Sequence, residues 1–280
     1  MTRSKIDARV KAQKKTERRG RCLCWLFSTI FFVSVTTDAQ VAPFSWTGFY
    51  VGGELGWNWA KYDLGNSSDR VSVFTLPTFQ VLPLTVGVPG FSFDDSQFLG
   101  GGQLGYNQQF GIFVIGFEGD FEATKFSGSN EAQAPFRVPG PEIDFLGFQR
   151  SLQTNWMASS RLRTGVVWEG FLFYGTGGAA FADVSVHAFD QLIFGIGPTR
   201  FQSSSDDATV IGWTAGLGAE YAVVKAFSLG LEYRHSDFGS KSFNLTTPGS
   251  ALSAHSSNVN FTDDQVTLRV NLLLSGVFGR

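Results

Sequence analysis

The chain has 280 residues, of which 43% are hydrophobic and 16% are charged, and its formal net charge is −2. The charged fraction is below the roughly 25% typical of soluble domains, while 33 Gly and 29 Phe provide ample apolar surface, which excludes intrinsic disorder. The two cysteines, Cys22 and Cys24, both precede residue 25, so a disulfide scaffold is also excluded.

The N-terminal segment has the order of a secretory signal peptide. Residues 1–21 carry nine Lys/Arg against two Asp/Glu, the run 22–35 is apolar and uncharged, and small residues surround Ala39. We therefore predict a signal peptide over 1–39 and an exported domain over 40–280. The uncharged run is shorter than the roughly 20 residues that a spanning helix needs. The exported part holds 13 Lys/Arg and 21 Asp/Glu, so nucleic acid is not an expected partner.

Beyond residue 45, apolar residues alternate with small or polar ones at a period of two, which is typical of strands with two different faces. In the first such segment, Phe49 and Leu55 share one face, and Glu54 and Asn58 share the other. The alternation predicts eight strands, at 46–62, 97–109, 113–125, 155–167, 171–186, 211–221, 227–235 and 265–274.

The connections between these segments alternate in length. Short ones at 110–112, 168–170 and 222–226 separate long ones of more polar sequence, at 63–96, 126–154, 187–210 and 236–264. A membrane barrel has tight turns at its periplasmic rim and long loops outside, whereas a soluble sandwich has no reason for this pattern. Strands can cross lipid only when the sheet closes and satisfies every backbone group. We therefore predict an all-β protein, an eight-stranded antiparallel up-and-down transmembrane β-barrel in the outer membrane.

Tryptophans support the position of the membrane. Trp57, Trp59, Trp156 and Trp213 lie near predicted strand ends on the apolar face. Indole rings are enriched at both membrane interfaces, where the N–H reaches water and the ring stays in lipid.

The polar face of each strand must then point into the lumen, which is narrow enough in an eight-stranded barrel to be filled by side chains. On the fourth predicted strand, this face carries Asn155, Ser159 and two arginines. Those arginines lie beside three carboxylates of the third strand, so we expect direct pairing. The predicted lumen ion-pair cluster comprises Glu54, Glu118, Asp120, Glu122, Arg161, Arg163, Glu220, Glu232, Arg234 and Arg269. A structural plug and a narrow or gated pore both fit this cluster, and the small bore favours the plug.

Five runs resemble the small outer-membrane barrels of alpha-proteobacteria called outer-membrane immunogenic proteins. They are WTGFYVGGELGWNW at 46–59, GGGQLGYNQQF at 100–110, FVIGFEGDFE at 113–122, GWTAGLGAEYA at 212–222 and LEYRHSDFG at 231–239. The resemblance implies a porin-like barrel with surface-exposed loops in a Gram-negative outer membrane. Its implied partners are outer-membrane lipid, lipopolysaccharide and the barrel-assembly machinery. Such barrels usually end in a Phe that this machinery recognises, whereas this chain continues past Phe278 to Arg280.

Motifs for cofactor chemistry are weak. The run GGGQLG at 100–105 matches the consensus of a dinucleotide-binding fingerprint. That fingerprint requires a helix after the glycines, whereas a strand pattern continues here, so the match is not functional. The histidines His187, His235 and His255 are scattered and give no metal-ligand spacing. We therefore expect neither a cofactor nor a metal.

Enzymatic activity is also not expected. His235, Ser236 and Asp237 lie near the predicted outer rim, where a lipid hydrolase could act, but neighbouring residues of a strand point to opposite faces. We predict a non-enzymatic, surface-exposed structural barrel with at most weak porin activity. The alternative is a receptor whose long loops bind a small molecule such as heme, as in some relatives, although no motif here carries that property.

Overall fold

The computed structural model describes residues 44–75, 80–136, 144–193, 200–245, 252–253 and 255–275. The predicted signal peptide, residues 1–39, lies outside the described residues, as does Phe278. No helix within these ranges is long and apolar enough to cross a membrane.

Eight long strands close into a barrel, and each pairs antiparallel with its two neighbours. Around the ring, they are β1 (Gly48–Leu64), β4 (Phe91–Phe110), β5 (Phe113–Phe136), β6 (Asp144–Trp168), β7 (Phe171–Ile193), β8 (Arg200–Val224), β9 (Phe227–Leu245) and β11 (His255–Leu273). A separate three-stranded sheet contains β2 (Ser67–Thr75), β3 (Gln80–Val88) and β10 (Leu252–Ser253). The predicted all-β, up-and-down, eight-stranded barrel is confirmed.

The three short connections are tight turns, at 111–112, 169–170 and 225–226. Glu169 and Gly170 have φ values of 49° and 85°, and Gly111 has 61°. These left-handed conformations let the chain reverse within two residues.

The strands at the other end of the barrel are much longer than predicted, and this corrects the assignment of the long connections to loops. The predicted strand 211–221 is part of a strand that begins at Arg200, and the segment 63–96 contains β2, β3 and the start of β4. Many outward residues of these extensions are polar, as at Ser203 and Ser205, although Phe189 and Phe201 are also exposed there. The strict apolar alternation is therefore lost along the extensions, whereas the backbone pairing continues.

Inward and outward faces alternate along the strands as the sequence predicts. Phe49, Leu55, Trp59 and Trp213 are exposed on the outer surface, whereas Glu54 is buried inside. A belt of large exposed apolar side chains on this scale would be unstable in water, and lipid is the environment that suits it.

One predicted orientation is wrong. Asn155, assigned to the inward face together with Arg161, is exposed, while Thr154 and Met157 are buried. The pairing of β6 with β7 shifts between Gln153 and Met157. Such a bulge reverses the faces of a strand at one point, and a strict period of two cannot reveal it.

Candidate functional site: the barrel lumen

The structure places all ten predicted cluster residues inside the barrel, where each is at most 7% exposed. They come from six of the eight strands of the ring. Their distribution is Glu54 on β1, Glu118, Asp120 and Glu122 on β5, Arg161 and Arg163 on β6, Glu220 on β8, Glu232 and Arg234 on β9, and Arg269 on β11. The site is thus assembled by closure of the sheet.

The centre of the lumen is a closed ring of two arginines and two glutamates. Arg161 Nη2 donates to Glu118 Oε1 at 2.6 Å, and Arg161 Nη1 donates to Glu232 Oε1 at 2.5 Å. Arg269 Nη2 donates to Glu118 Oε2 at 2.5 Å, and Arg269 Nη1 contacts Glu232 Oε2. Each carboxylate therefore uses one oxygen for each arginine, an arrangement that suits the planar guanidinium. We call these four residues the central ring.

Two further arginines extend this network. Arg163 Nη2 lies 2.7 Å from Glu220 Oε1, and its guanidinium carbon lies 3.6 Å from the centroid of the Tyr174 ring. Arg234 Nη1 lies 3.1 Å from Asp120 Oδ1, and its Nη2 contacts Glu122. Both arginines thus pair with buried carboxylates, and this pairing offsets the cost of burying their charges.

Uncharged inward side chains complete the network. Tyr50 donates its hydroxyl to Glu118 Oε2 at 2.5 Å, and Tyr174 donates to Glu232 Oε2 at 2.8 Å. Other donors are Ser159 to Asp120, Gln265 to Glu122, and Asn271 to Glu220. Their inward positions follow from the same alternation that predicts the inward position of Ser159, whereas their partners depend on closure of the sheet.

Glu54 is the most weakly paired carboxylate of the cluster. It is 2% exposed, neither of its oxygens accepts a hydrogen bond, and Arg269 Nε lies 3.8 Å away. Its oxygens and those of Asp120 and Glu122 approach within 4.8 Å of one another, which is the spacing of a cation site. Arg234 contacts two of these three carboxylates and thus supplies the positive charge that a metal ion would bring.

Apolar clusters lie on both sides of this charged layer. The lower apolar layer, at the end with the tight turns, comprises Trp46, Val114, Leu172 and Tyr174. Trp46 precedes β1 and is held there by its backbone N–H, which donates to Gln109 Oε1 at 2.9 Å. It is only 1% exposed.

The upper apolar layer fills the barrel beyond the charged residues, in the strand extensions. Tyr62 stacks on Phe261 with centroids 4.5 Å apart, Phe261 stacks on Phe238 at 4.6 Å, and Phe93 stacks on Tyr62 at 4.8 Å. Phe126 and Leu152 are fully buried in the same cluster. The lumen is therefore charged in the middle and apolar at both ends.

The candidate rim trio is not brought together. Ser236 is buried and donates to Thr214 Oγ1 at 3.0 Å inside the barrel. His235 lies on the outer surface, with Nδ1 2.8 Å from Asp264 Oδ1. The serine and the histidine are thus on opposite faces of β9, as period two requires.

Residues 27–268 match the family described as outer membrane protein beta-barrel domain. The chain belongs to this family. The 31 kDa outer-membrane immunogenic protein of Brucella melitensis is 33% identical over 220 residues, which cover 74% of this chain and 78% of the relative. The 22 kDa outer membrane protein of Rhizobium leguminosarum bv. viciae is 30% identical over 212 residues, which cover 74% and 72%. This family member is an outer-membrane β-barrel protein, and the predicted location is confirmed.

Similarity to solved structures extends to the outer membrane protease OmpT of Escherichia coli. The identity is 11%, the match covers 84% of this chain and 99% of that chain, and the TM-score is 0.41. The match to Neisserial surface protein A covers 75% and 96%, with 13% identity and a TM-score of 0.28.

Proposed function

We propose that this protein is a non-enzymatic structural barrel whose lumen is closed, and that it anchors its strand extensions at the cell surface. The observation that carries the proposal is the order of layers inside the barrel. The central ring lies between the lower apolar layer and the upper apolar layer. A hydrated ion would have to break the ring and also cross both apolar layers.

The space left inside the charged layer supports closure. A cavity of about 10 Å³ lies beside Asp120, Glu122 and Arg234, and this is close to the smallest volume that holds one water molecule. Opening a path would separate buried charges from their partners, and removing one partner of a buried pair costs roughly 3–5 kcal/mol.

The non-enzymatic part of the proposal rests on the rim. Among the described residues, His235 has a carboxylate partner in Asp264, but Ser236 points into the barrel. A nucleophile and its base must lie within hydrogen-bond reach. Lipid A from cells that produce the wild-type chain or His235→Ala is expected to have the same mass spectrum. A mass change that only the wild-type chain causes would contradict this.

Binding of a small molecule such as heme by the loops stays an alternative. Residues 76–79, 137–143, 194–199 and 246–251, within the predicted long connections, lie outside the described residues, and none of the described residues favours this alternative. Lipopolysaccharide and the barrel-assembly machinery are the partners that we propose for a barrel of this family.

Conductance in planar lipid bilayers tests the closed lumen. We expect no conductance steps from the refolded full-length chain, because all three layers are in place. The double variant Arg161→Ala and Arg163→Ala removes two of the four arginines of the predicted cluster and is expected to produce brief openings. Trp213→Ala, on the outer surface, is the matched control and should stay silent.

Only folded protein, identified by faster gel mobility before boiling, enters the comparison. Steady conductance from the wild-type chain that changes in the double variant would show a path through the lumen and would overturn the proposal. Failure of the double variant to open would show that the apolar layers close the barrel without the arginines.

A further inference from the structure

A groove crosses the outer surface of the barrel over strands β6 to β9. Its volume is about 650 Å³, within the roughly 300–1,000 Å³ of small-molecule sites. The side chains that line it are mainly apolar or small, and they include Leu162, Gly177, Trp213, Ala215, Leu217 and Tyr233. The groove is therefore a concave and mainly apolar part of the outer surface.

The strand register explains the shape. Leu162, Gly177, Ala215 and His235 lie side by side on four neighbouring strands, so two small residues form a floor between two larger ones. In the neighbouring row, Gly175 lies beside Leu217, which is 71% exposed and forms a wall.

The aromatic wall is held in position by hydrogen bonds. Tyr233 donates its hydroxyl to Asp264 Oδ1 at 2.7 Å, and His235 Nδ1 lies 2.8 Å from the same oxygen. The His235 ring lies 5.5 Å from the Trp213 ring. A groove whose walls are fixed before binding loses little entropy when it is occupied.

The groove lies in the outer half of the apolar belt. Trp213 is paired with Ala179 of β7, which lies nine residues after the tight turn at 169–170. From Ala179, β7 continues away from that turn toward Asp183. Tight turns mark the periplasmic rim of such barrels. Trp213, Tyr233 and His235 therefore lie toward the outer-leaflet side of the belt, and aromatic residues of this kind are enriched near membrane interfaces.

We propose that this groove is a binding site for one acyl chain of an outer-leaflet lipopolysaccharide molecule. The chain belongs to a family of outer-membrane barrels, so the groove opens directly into lipid, and its upper end reaches the headgroup level of the leaflet that lipopolysaccharide forms. A floor of Gly177 and Ala215 lets a hydrocarbon chain approach the backbone closely and gain dispersion contacts on three sides. The site is independent of whether the lumen conducts.

Glycine substitutions can fill the groove without disturbing the barrel. A Cβ at Gly175 would lie 3.6 Å from its nearest neighbour, Leu217, and one at Gly177 would lie 3.9 Å from Thr214 O. Gly53 and Gly119 do not line the groove but offer similar room, because a Cβ built there would lie 3.8 Å and 3.7 Å from its nearest atom. The double variant Gly175→Leu, Gly177→Leu therefore has a matched control in Gly53→Leu, Gly119→Leu.

The test measures binding of fluorescently labelled rough lipopolysaccharide to the full-length chain in detergent micelles. We expect the groove-filled variant to bind about tenfold more weakly than wild type, and the control variant to bind as wild type does. Gly177→Leu alone serves if the double variant does not show the faster unboiled mobility of a folded barrel. Equal binding by wild-type and groove-filled protein would overturn the proposal.

Two competitors and one mass measurement separate the other occupants. Lipopolysaccharide stripped of its acyl chains should not compete, and full competition by it would overturn the proposal in favour of sugar recognition. A glycerophospholipid should compete more weakly, and equal competition would overturn the assignment to lipopolysaccharide. If wild type is a dimer and the groove-filled variant a monomer, the groove is instead an interface between two copies.

Discussion

Arg161 and Glu118 lie directly opposite each other on β6 and β5, and their side chains meet at 2.6 Å inside the barrel. Both are fully buried. The same arginine reaches Glu232 on β9, from which it is separated by two strands of the ring. The central ring therefore ties together strands that share no backbone hydrogen bonds.

Arg161→Ala is expected to destabilise the barrel strongly. The change leaves Glu118, Asp120 and Glu232 each short of one guanidinium partner, and loss of one partner from a buried pair costs about 3–5 kcal/mol. The free energy of unfolding, measured by urea titration of the chain refolded in lipid vesicles, checks this. Lys61→Ala, at an exposed outward position, should change it by less than about 0.5 kcal/mol. If Arg161→Ala lowered the free energy of unfolding as little as Lys61→Ala does, a structural role for the central ring would be contradicted.

Two of the buried glutamates, Glu118 and Glu54, are expected to affect the free energy of unfolding in opposite ways when their charge is removed. Glu118 pairs with Arg161 and Arg269 and accepts from Tyr50, whereas neither oxygen of Glu54 accepts a hydrogen bond. Glu118→Gln should therefore cost about 3 kcal/mol or more.

Glu54→Gln should leave the free energy of unfolding unchanged or raise it, because a poorly compensated buried charge is costly. The same urea titration compares the two variants, which differ only in which carboxylate becomes an amide. A larger loss from Glu54→Gln than from Glu118→Gln would show that the pairing seen in the lumen does not govern stability.

Period two was sufficient to predict the eight strands of the barrel and the inward position of the four arginines of the cluster, because burial on one side and lipid on the other impose that period on the sequence. It missed Arg150, which is buried in the extension of β6 beside Asp190. It could not identify partners across the lumen. Arg161 and Glu232 are 71 residues apart, and their contact depends on closure of the ring. The bulge at 153–157 also escaped, since one extra residue leaves no mark in the composition of β6.

Two adjacent glycines of β7 give a matched test of how closely its neighbour approaches. A Cβ at Gly178 would lie 2.0 Å from Ser160 O and 2.7 Å from Arg161 Cα, while one at Gly177 would have 3.9 Å of room. Gly178→Ala should therefore push β6 and β7 apart and cost about 1–3 kcal/mol.

Gly177→Ala should change the free energy of unfolding by less than about 0.5 kcal/mol. Urea titration in vesicles measures both, and similar effects of the two substitutions would contradict the close approach at Gly178. The two residues are indistinguishable in the sequence GTGG, so this difference could be found only from the geometry of the closed sheet.

The strand extensions are expected to be as firmly folded as the membrane-spanning part, since Tyr62 stacks between Phe93 and Phe261. Tyr62→Ala should cost about 3–5 kcal/mol, as for other buried aromatic residues, and should speed backbone hydrogen exchange along the upper parts of β1 and β11. Tyr62→Phe keeps the stack and loses only the 3.1 Å hydrogen bond to Thr154, so it should cost about 1 kcal/mol. Hydrogen exchange followed by mass spectrometry, on protein in vesicles, resolves these segments. Fast exchange there already in the wild-type chain would contradict a folded upper apolar layer and, with it, one of the three layers that close the lumen.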